Sequence, residues 1–175
     1  MTDNILLISP DYPPPLIGGS LVYMNNLVEH SNHTFTILTD EKDRVSSLEK
    51  KYIEKKYIVD SNSPSLFALL RMYLFLFLYL RKIIQFNLII LNISAIGNGF
   101  FALLLSFFNK KTIIMAYAEE LTVTIHAKGI KGAIKRLFLR GYRKASMIIS
   151  VSNFAKSVLT SQLDVDCPIH VIPTP

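Results

Sequence analysis

Cysteine is nearly absent from this 175-residue sequence, which also lacks an export signal and a metal-ligand pattern. The single cysteine, Cys167, excludes an internal disulfide framework and fits a reducing compartment. No basic leader precedes the first apolar run, so we expect no secretory signal and a cytoplasmic protein. The four histidines and the cysteine form no metal-ligand pattern, and we expect neither a metal nor a cofactor.

The sequence also lacks an uncharged apolar segment of roughly 20 residues without a break, which a membrane-spanning helix needs. Two segments come close to that length. Arg71 interrupts the first, residues 65–84, and the second, Phe86 to Phe108, carries Asn92 and residues 97–99 near its middle. We therefore expect both segments to lie in a protein core, the second as a strand, a turn and a helix.

What the sequence does contain is a series of short, isoleucine-rich apolar runs, separated by longer segments with helical spacing. Continuous β-branched runs of this length are typical of strands buried on both faces of a parallel sheet. The predicted strands are Ile5–Ser9, Thr34–Thr39, Leu88–Ile93, Thr112–Ala116, Met147–Val151 and His170–Pro173, with a further one at Tyr57–Asp60 after a charged, exposed segment. The alternation predicts an α/β, Rossmann-like doubly wound, mostly parallel sheet of about six or seven strands with helices on both faces. Without a long linker, the length predicts one domain over residues 1–175.

The loop after the first predicted strand, "SPDYPPPLIGG", leads from three prolines to a Gly-Gly pair at the start of a helical segment. Open α/β sheets bind ligands beyond the carboxyl ends of their strands, and a helix N-terminus attracts anions. The prolines restrict the loop, and Gly18 and Gly19 let a phosphate approach the backbone closely. A tight turn without a ligand is the alternative, since the pattern is neither a Walker loop nor G-x-G-x-x-G.

Four segments, in the same order along the chain, resemble those of the family 4 retaining glycosyltransferases of GT-B architecture. They are "SPDYPPPLIGG", "MAYAEEL", "RKASMIISVSNFAKSVL" and the terminal "IHVIPTP". The resemblance covers nearly the whole chain and implies the N-terminal, acceptor-binding domain of such an enzyme. It implies transfer of a sugar from a nucleotide sugar to a saccharide or lipid-linked acceptor, in cell-envelope or surface polysaccharide synthesis. It also implies a C-terminal nucleotide-sugar domain beyond this chain, so that the chain alone is expected to transfer no sugar.

The resemblance assigns roles to individual residues as well. Gly18 and Gly19 are expected to bind the donor diphosphate, and Tyr117, Ser152 and Asn153 the sugar or acceptor. Tyr117 stands where many members have a histidine, so the role of that histidine does not carry over directly. The retaining mechanism requires no protein nucleophile, and none is assigned.

Glu119 and Glu120 directly follow a predicted buried strand, which brings at least one carboxylate toward the cleft. Two interpretations remain open. Either both are catalytic, so that a change to glutamine lowers turnover without unfolding, or Glu120 caps a following helix and Glu119 is solvated.

The segment Lys128–Ala145 is a basic helix in which the apolar residues Ile130, Ile134, Leu137, Phe138, Gly141 and Ala145 are predicted to face the sheet. The other face is predicted to hold an anionic membrane surface through Lys131, Lys135, Arg136, Leu139, Arg140, Tyr142 and Arg143. A solvated helix face is the alternative. Nucleic acid is not expected as a partner, because the patch lacks interleaved stacking aromatics.

Three classes of function therefore remain. We favour the glycosyltransferase acceptor domain over a non-catalytic nucleotide- or phosphate-binding Rossmann module and over a membrane-peripheral interaction protein. Calorimetry with nucleotides separates the first two, since an isolated acceptor half should bind nucleotides weakly or not at all.

Overall fold

The computed structural model describes residues 4–9, 12, 19–39, 51–54, 74 and 78–172. The chain divides into two compact units, Met1–Ile89 and Ile90–Pro175. The first unit contains β1 (Asn4–Ile8), α1 (Gly19–His30), β2 (Thr34–Thr39), β3 (Lys51–Glu54) and α2, whose described part includes 78–83. Strand β4 (Leu88–Leu91) begins in the first unit and ends in the second.

The first unit is built on three strands in the order β3-β2-β1, and both of its pairings are parallel. Leu7, Ile8 and Ile37 are fully buried, as the continuous apolar runs predict for strands covered on both faces. Helix α1 contributes Met24 and Val28 to this core, one helical turn apart on a single face.

The second unit continues from β4 through α3 (Ala95–Ser106), β5 (Lys111–Ala116), α4 (Ala118–Ile125), α5 (Gly129–Leu139), a 3-10 helix (Arg140–Lys144), β6 (Met147–Ser150), α6 (Asn153–Leu163) and β7 (Ile169–Val171). Its strand order is β4-β5-β6-β7, and the pairings of β5 with β6 and of β6 with β7 are parallel. Strands β4, β5 and β6 are each followed by a helix before the next strand begins, which is the connection that a parallel pairing requires.

The predicted fold class, an α/β Rossmann-like doubly wound sheet, is confirmed. The expected strand Thr34–Thr39 is found with the same bounds, and the ends of the five other strands differ by one or two residues. The apolar segment from Phe86 to Phe108 forms β4, a short turn and α3, as expected. Most of the other long apolar segment lies outside the described residues. Within the part of the chain that is described, no helix has the length and composition to cross a membrane.

A strand that the sequence did not predict lies before the one expected at Tyr57–Asp60. Residues 57–60 lie outside the described residues, and β3 is formed by Lys51–Glu54, inside the segment that was expected to be charged and exposed. Tyr52 and Ile53 favour a strand, and the flanking charges suit a position at the edge of a sheet. This strand was missed because its charges resemble those of a loop, and an edge strand tolerates charges that a central strand does not.

The predicted orientation of the basic helix is wrong for Ile130, Ile134 and Leu137, whereas Gly141 and Ala145 are buried as predicted. The side chains of Ile130, Ile134 and Leu137 are 82%, 43% and 52% exposed, whereas Leu139 and Tyr142 are fully buried. The prediction assumed one continuous α-helix, but the helix changes to 3-10 geometry at Arg140, where three residues complete a turn. Leu139 and Tyr142 are therefore core residues and are not available to a lipid surface.

Glycines explain why this region packs as it does. A Cβ atom on Gly141 would lie 1.8 Å from the carbonyl oxygen of Gly99, and one on Gly99 would lie 2.3 Å from that of Phe138. The backbone of α3 thus contacts the backbone of the 3-10 helix directly. This approach places Tyr142 in the core and leaves the Ile130 side of α5 facing outward.

Candidate functional site

Polar residues follow β4 and β5 at their carboxyl ends, and two of them are joined. Asn92 comes directly after β4 and is buried, and Tyr117 comes directly after β5 and is half-buried. The Tyr117 hydroxyl donates a hydrogen bond to Asn92 Oδ1 at 2.7 Å. The structure therefore places the predicted sugar-binding tyrosine at the carboxyl edge of the sheet, held by a residue for which the sequence predicted no role.

The side chain of Asn98 hydrogen-bonds to the backbone at the carboxyl ends of the same two strands. Its Oδ1 accepts from the backbone N–H of Ile93 at 3.0 Å, and its Nδ2 donates to the carbonyl of Met115 at 2.9 Å. Asn98 is buried, as is the Tyr142 hydroxyl that hydrogen-bonds to it. Burial raises the pKa of Tyr142 far above its ordinary value, so the phenol stays protonated.

Glu120 caps a helix, although not the helix that contains it. Its Oε2 accepts the backbone N–H of Ala95, the first residue of α3, at 2.8 Å. Ser94 caps the same helix by accepting from Gly97 N at 3.2 Å. A carboxylate at this position satisfies an N–H that the helix leaves unpaired and interacts favourably with the helix dipole.

Glu119 lies one residue earlier in the first turn of α4 and is exposed. The structure thus separates the two carboxylates, one in a cap and one in solvent. No observation here tests the predicted catalytic role of either residue, so that role stays a prediction.

Ser152 and Asn153 begin α6 after β6. Ser152 Oγ accepts the backbone N–H of Ala155 at 3.1 Å, and Ser150 Oγ donates to the Ser152 carbonyl at 2.8 Å. Asn153 is exposed. The Ser-x-Phe part of the family segment thus includes an N-cap, and the O–H of Ser152 can still donate to a ligand because capping uses only a lone pair.

In the first unit, Gly19 is the first residue of α1, the position predicted for an anion-binding helix end, and Gly18 lies outside the described residues. Tyr12, in the loop after β1, is fully buried and its hydroxyl donates to Asn25 Oδ1 in α1 at 3.2 Å. This contact fixes the loop to the helix. Sequence reasoning assigned the stiffness to prolines and overlooked this tyrosine between them and the strand.

Arg143, predicted to contact membrane, instead holds the end of α6. Its Nε donates to the Leu163 carbonyl at 2.6 Å, and its Nη2 pairs with Asp164 Oδ2 at 2.6 Å. Asp164 ends the helix in a left-handed conformation, with φ of 46°. Arg143 therefore satisfies a carbonyl that the helix end leaves unpaired.

Of the remaining basic residues predicted at a membrane, Arg140 is exposed and Lys135 is half-buried. Arg136 Nη1 donates to the carbonyl of Ala127 at 2.6 Å while its side chain remains exposed. The side chain of Lys131 lies outside the described part. Arg136 and Arg140 are therefore exposed cations of this region, and the predicted membrane contact stays a prediction.

Among the described residues, no group of three or more histidine, cysteine, aspartate or glutamate side chains could hold a metal ion. Burial raises the pKa of the half-buried Cys167 thiol, so this cysteine stays protonated at neutral pH.

Glu120→Gln is expected to lower the free energy of unfolding by about 1 kcal/mol, because it weakens the charged hydrogen bond to Ala95 N and its interaction with the α3 dipole. Glu119→Gln provides the matched control and should change stability by less than about 0.5 kcal/mol, since Glu119 is exposed. Urea denaturation followed by circular dichroism measures both. Equal stability of the two variants would show that Glu120 does not cap α3.

The strand order and the polar carboxyl edge define a Rossmann-like domain of the GT-B class, and solved structures share this fold. One is UGT89C1 of Arabidopsis thaliana in complex with UDP-L-rhamnose, 13% identical with a TM-score of 0.64, covering 100% of this chain and 53% of that chain. Another is sucrose-phosphate synthase of Thermosynechococcus elongatus, which is 14% identical with a TM-score of 0.60, covering 99% of this chain and 90% of that chain. A glycosyltransferase of Rickettsia africae is 18% identical with a TM-score of 0.57, covering 98% of this chain and 43% of that chain.

The profile of Glycosyltransferase Family 4 matches residues 17–175, and the chain therefore belongs to glycosyltransferase family 4, whose N-terminal domain it represents. This confirms the resemblance to the family, and three of the four sequence segments lie wholly within the matched residues. A sequence comparison with curated proteins finds no significant match. The chain spans about half the length of the plant UGT structures that share its fold, with 52% and 53% covered in two of them.

Proposed function

We propose that this chain is the acceptor-side half of a retaining glycosyltransferase. The enzyme transfers a sugar from a nucleotide sugar to a saccharide or lipid-linked acceptor in cell-envelope or surface polysaccharide synthesis. The observation that carries the proposal is the Tyr117–Asn92 pair at the carboxyl ends of two adjacent strands, where open α/β sheets bind ligands. Membership of a glycosyltransferase family makes a sugar the expected ligand at that edge.

Tyr117 has the chemistry for this role. Its O–H donates a hydrogen bond to Asn92 Oδ1, and a phenol oxygen also has lone pairs that can accept a hydrogen bond from a sugar hydroxyl. Because Asn92 is buried and held at the end of β4, the ring orientation is fixed before a ligand binds. Ser152 and Asn153, at the end of the next strand, supply further polar groups for the acceptor.

The donor is a nucleotide sugar. Two structures of similar fold were solved with such molecules, UGT89C1 with UDP-L-rhamnose and UGT71G1 of Medicago truncatula with UDP-glucose. In this proposal Gly18 and Gly19 bind the diphosphate of a donor delivered by a C-terminal domain, and the backbone N–H groups at the start of α1, which begins at Gly19, contribute to that binding. Those donors stabilise the charge that grows on the diphosphate as the bond to the sugar breaks.

The transfer step is a substitution on one face of the sugar. The acceptor oxygen bonds to the anomeric carbon as the bond from that carbon to the diphosphate breaks, and the leaving phosphate takes the acceptor proton. No protein nucleophile, metal or further cofactor is part of the proposal, since the sequence provides no metal-ligand pattern. The protein is placed in the cytoplasm, at the inner face of the cell membrane when the acceptor is lipid-linked.

The test is saccharide binding by the chain itself. Ligand-observed NMR with a panel of saccharides should detect binding to the native chain, and Tyr117→Phe should weaken it by about fivefold, the loss of one neutral hydrogen bond of about 1 kcal/mol. Tyr23→Phe, on α1 in the other unit, should leave binding unchanged.

The same chain should bind UDP weakly or not at all in calorimetry, because the proposal assigns the nucleotide to another domain. Tight UDP binding without saccharide binding would instead identify a nucleotide-binding module and overturn the acceptor assignment.

A further inference from the structure

Helix α5 carries its apolar residues on the outside. Ile130, Ile134 and Leu137, here called the apolar stripe, follow the spacing i, i+4 and i+7, and all three are exposed. Val123, on the adjoining helix α4, is 72% exposed. Exposed apolar groups aligned in this way, unlike scattered ones, mark a surface that contacts something other than water.

The apolar stripe is not a core face that has merely rotated out of place. At 100° per residue, Gly132 and Leu139 lie about 160–180° around the helix from Ile130, and both are buried. A Cβ on Gly132 would lie 2.0 Å from the Ala127 carbonyl oxygen, so that side of the helix is fully occupied. The helix packs through one face and presents the stripe on the opposite face.

The charge along this part of the sequence is of one sign. No aspartate or glutamate occurs between Glu120 and Asp164, whereas this interval contains eight lysines and arginines. The exposed cations near the stripe in sequence include Lys128, Arg136, Arg140 and Lys144, while the exposed Arg143 pairs with Asp164. A second copy of this chain would bring like charges together across a symmetric interface, and lysine is depleted in protein interfaces.

An apolar helix face bordered by cations has the composition of a helix that lies in a membrane interface, with its apolar side among acyl chains and its basic side on lipid phosphates. We propose that α5 binds an anionic lipid surface, with the apolar stripe inserted and Lys128, Arg136, Arg140 and Lys144 at the headgroups. The occupant is an anionic bilayer rather than a protein.

This inference deepens the proposed function by identifying how the acceptor domain reaches a lipid-linked substrate, although the binding itself needs no sugar and no donor. It replaces the contact expected from the sequence. Leu139 and Tyr142 are buried and Arg143 holds α6, so the inserted residues are those that the sequence predicted to face the sheet.

The experiment is flotation of the chain with vesicles of equal parts phosphatidylglycerol and phosphatidylcholine, compared with phosphatidylcholine alone. The native chain should float with the anionic vesicles and be released by high salt. The triple variant Ile130→Ser, Ile134→Ser, Leu137→Ser should lose on the order of 100-fold in partitioning, because three inserted side chains are removed. Since all three are exposed, the variant should fold as the native chain does, which circular dichroism checks.

Two matched controls separate insertion from general hydrophobicity and from general charge. Phe107→Ser with Phe108→Ser removes exposed apolar residues outside α5 and should leave flotation unchanged. Lys128→Glu with Arg140→Glu should weaken it by more than about tenfold, and Lys156→Glu on α6 by much less.

Three results would overturn the proposal: no flotation at low salt, flotation unaffected by the stripe variant, or equal binding to neutral vesicles. Concentration-dependent dimerisation that the stripe variant abolishes, without vesicle binding, would show that a second copy covers the stripe. None of these results bears on saccharide binding at Tyr117, so the two proposals can fail separately.

Discussion

Gly141→Ala is expected to destabilise the second unit by about 3 kcal/mol or more, enough to unfold much of it near physiological temperature. The new Cβ would lie 1.8 Å from the carbonyl oxygen of Gly99, and its obstacle is backbone rather than a movable side chain. Relief requires α3 and the 3-10 helix to separate, which disturbs the buried Tyr142 and Asn98 between them. Urea denaturation monitored by circular dichroism gives the change in free energy.

Gly129→Ala is the matched control. A Cβ on Gly129 would meet no other atom within 4 Å, but the φ of this residue is 72°. Alanine there should therefore lower stability only by the cost of a left-handed conformation, about 1 kcal/mol. A Gly141→Ala variant no less stable than Gly129→Ala would show that the two backbones do not meet.

The strands were predictable because their signal is local. Runs such as Thr34–Thr39 and Met147–Val151 are apolar, β-branched and bounded by polar residues, which is sufficient to predict a buried strand. The strand at Lys51–Glu54 was not predictable, because its charges resemble those of a loop. A strand accommodates such charges at the edge of a sheet.

The orientation of α5 was not predictable from periodicity. Its apolar residues recur at helical spacing, but a helix face is buried only where another surface packs against it. Here the close approach of Gly99 to Gly141 sets which face is packed. These glycines are far apart in sequence and leave no periodic trace. The same apolar stripe would serve a core or a membrane, and only the fold distinguishes the two.

The candidate site shows the same division. Tyr117 could be found from its place in a family segment, whereas Asn92 and Asn98 could not, because each is defined by a partner on another strand or loop. Glu120 was correctly considered as a cap, but the capped helix is α3 and not the helix in which Glu120 lies. Side-chain roles that join distant segments need the tertiary structure.

Asn98→Leu is the second change with a large expected effect, and it connects stability to the site. Leucine has similar volume but leaves the N–H of Ile93 and the carbonyl of Met115 buried without this partner, at about 1–3 kcal/mol each. We expect the free energy of unfolding to fall by about 3 kcal/mol. Urea denaturation measures the loss, and Asn153→Leu, an exposed asparagine at the start of α6, should change stability by less than about 0.5 kcal/mol.

The same variant should also weaken saccharide binding at a temperature where it is still folded. Asn98 sets the spacing between the carboxyl ends of β4 and β5, which Asn92 and Tyr117 follow. Its loss should therefore loosen the hydrogen bond between Asn92 and Tyr117. Saccharide binding should fall by at least the fivefold expected for Tyr117→Phe. The double variant Asn98→Leu, Tyr117→Phe should then bind no more weakly than Asn98→Leu alone, because one contact is lost in both. Additive losses would mean that Asn98 supports the fold without positioning Tyr117.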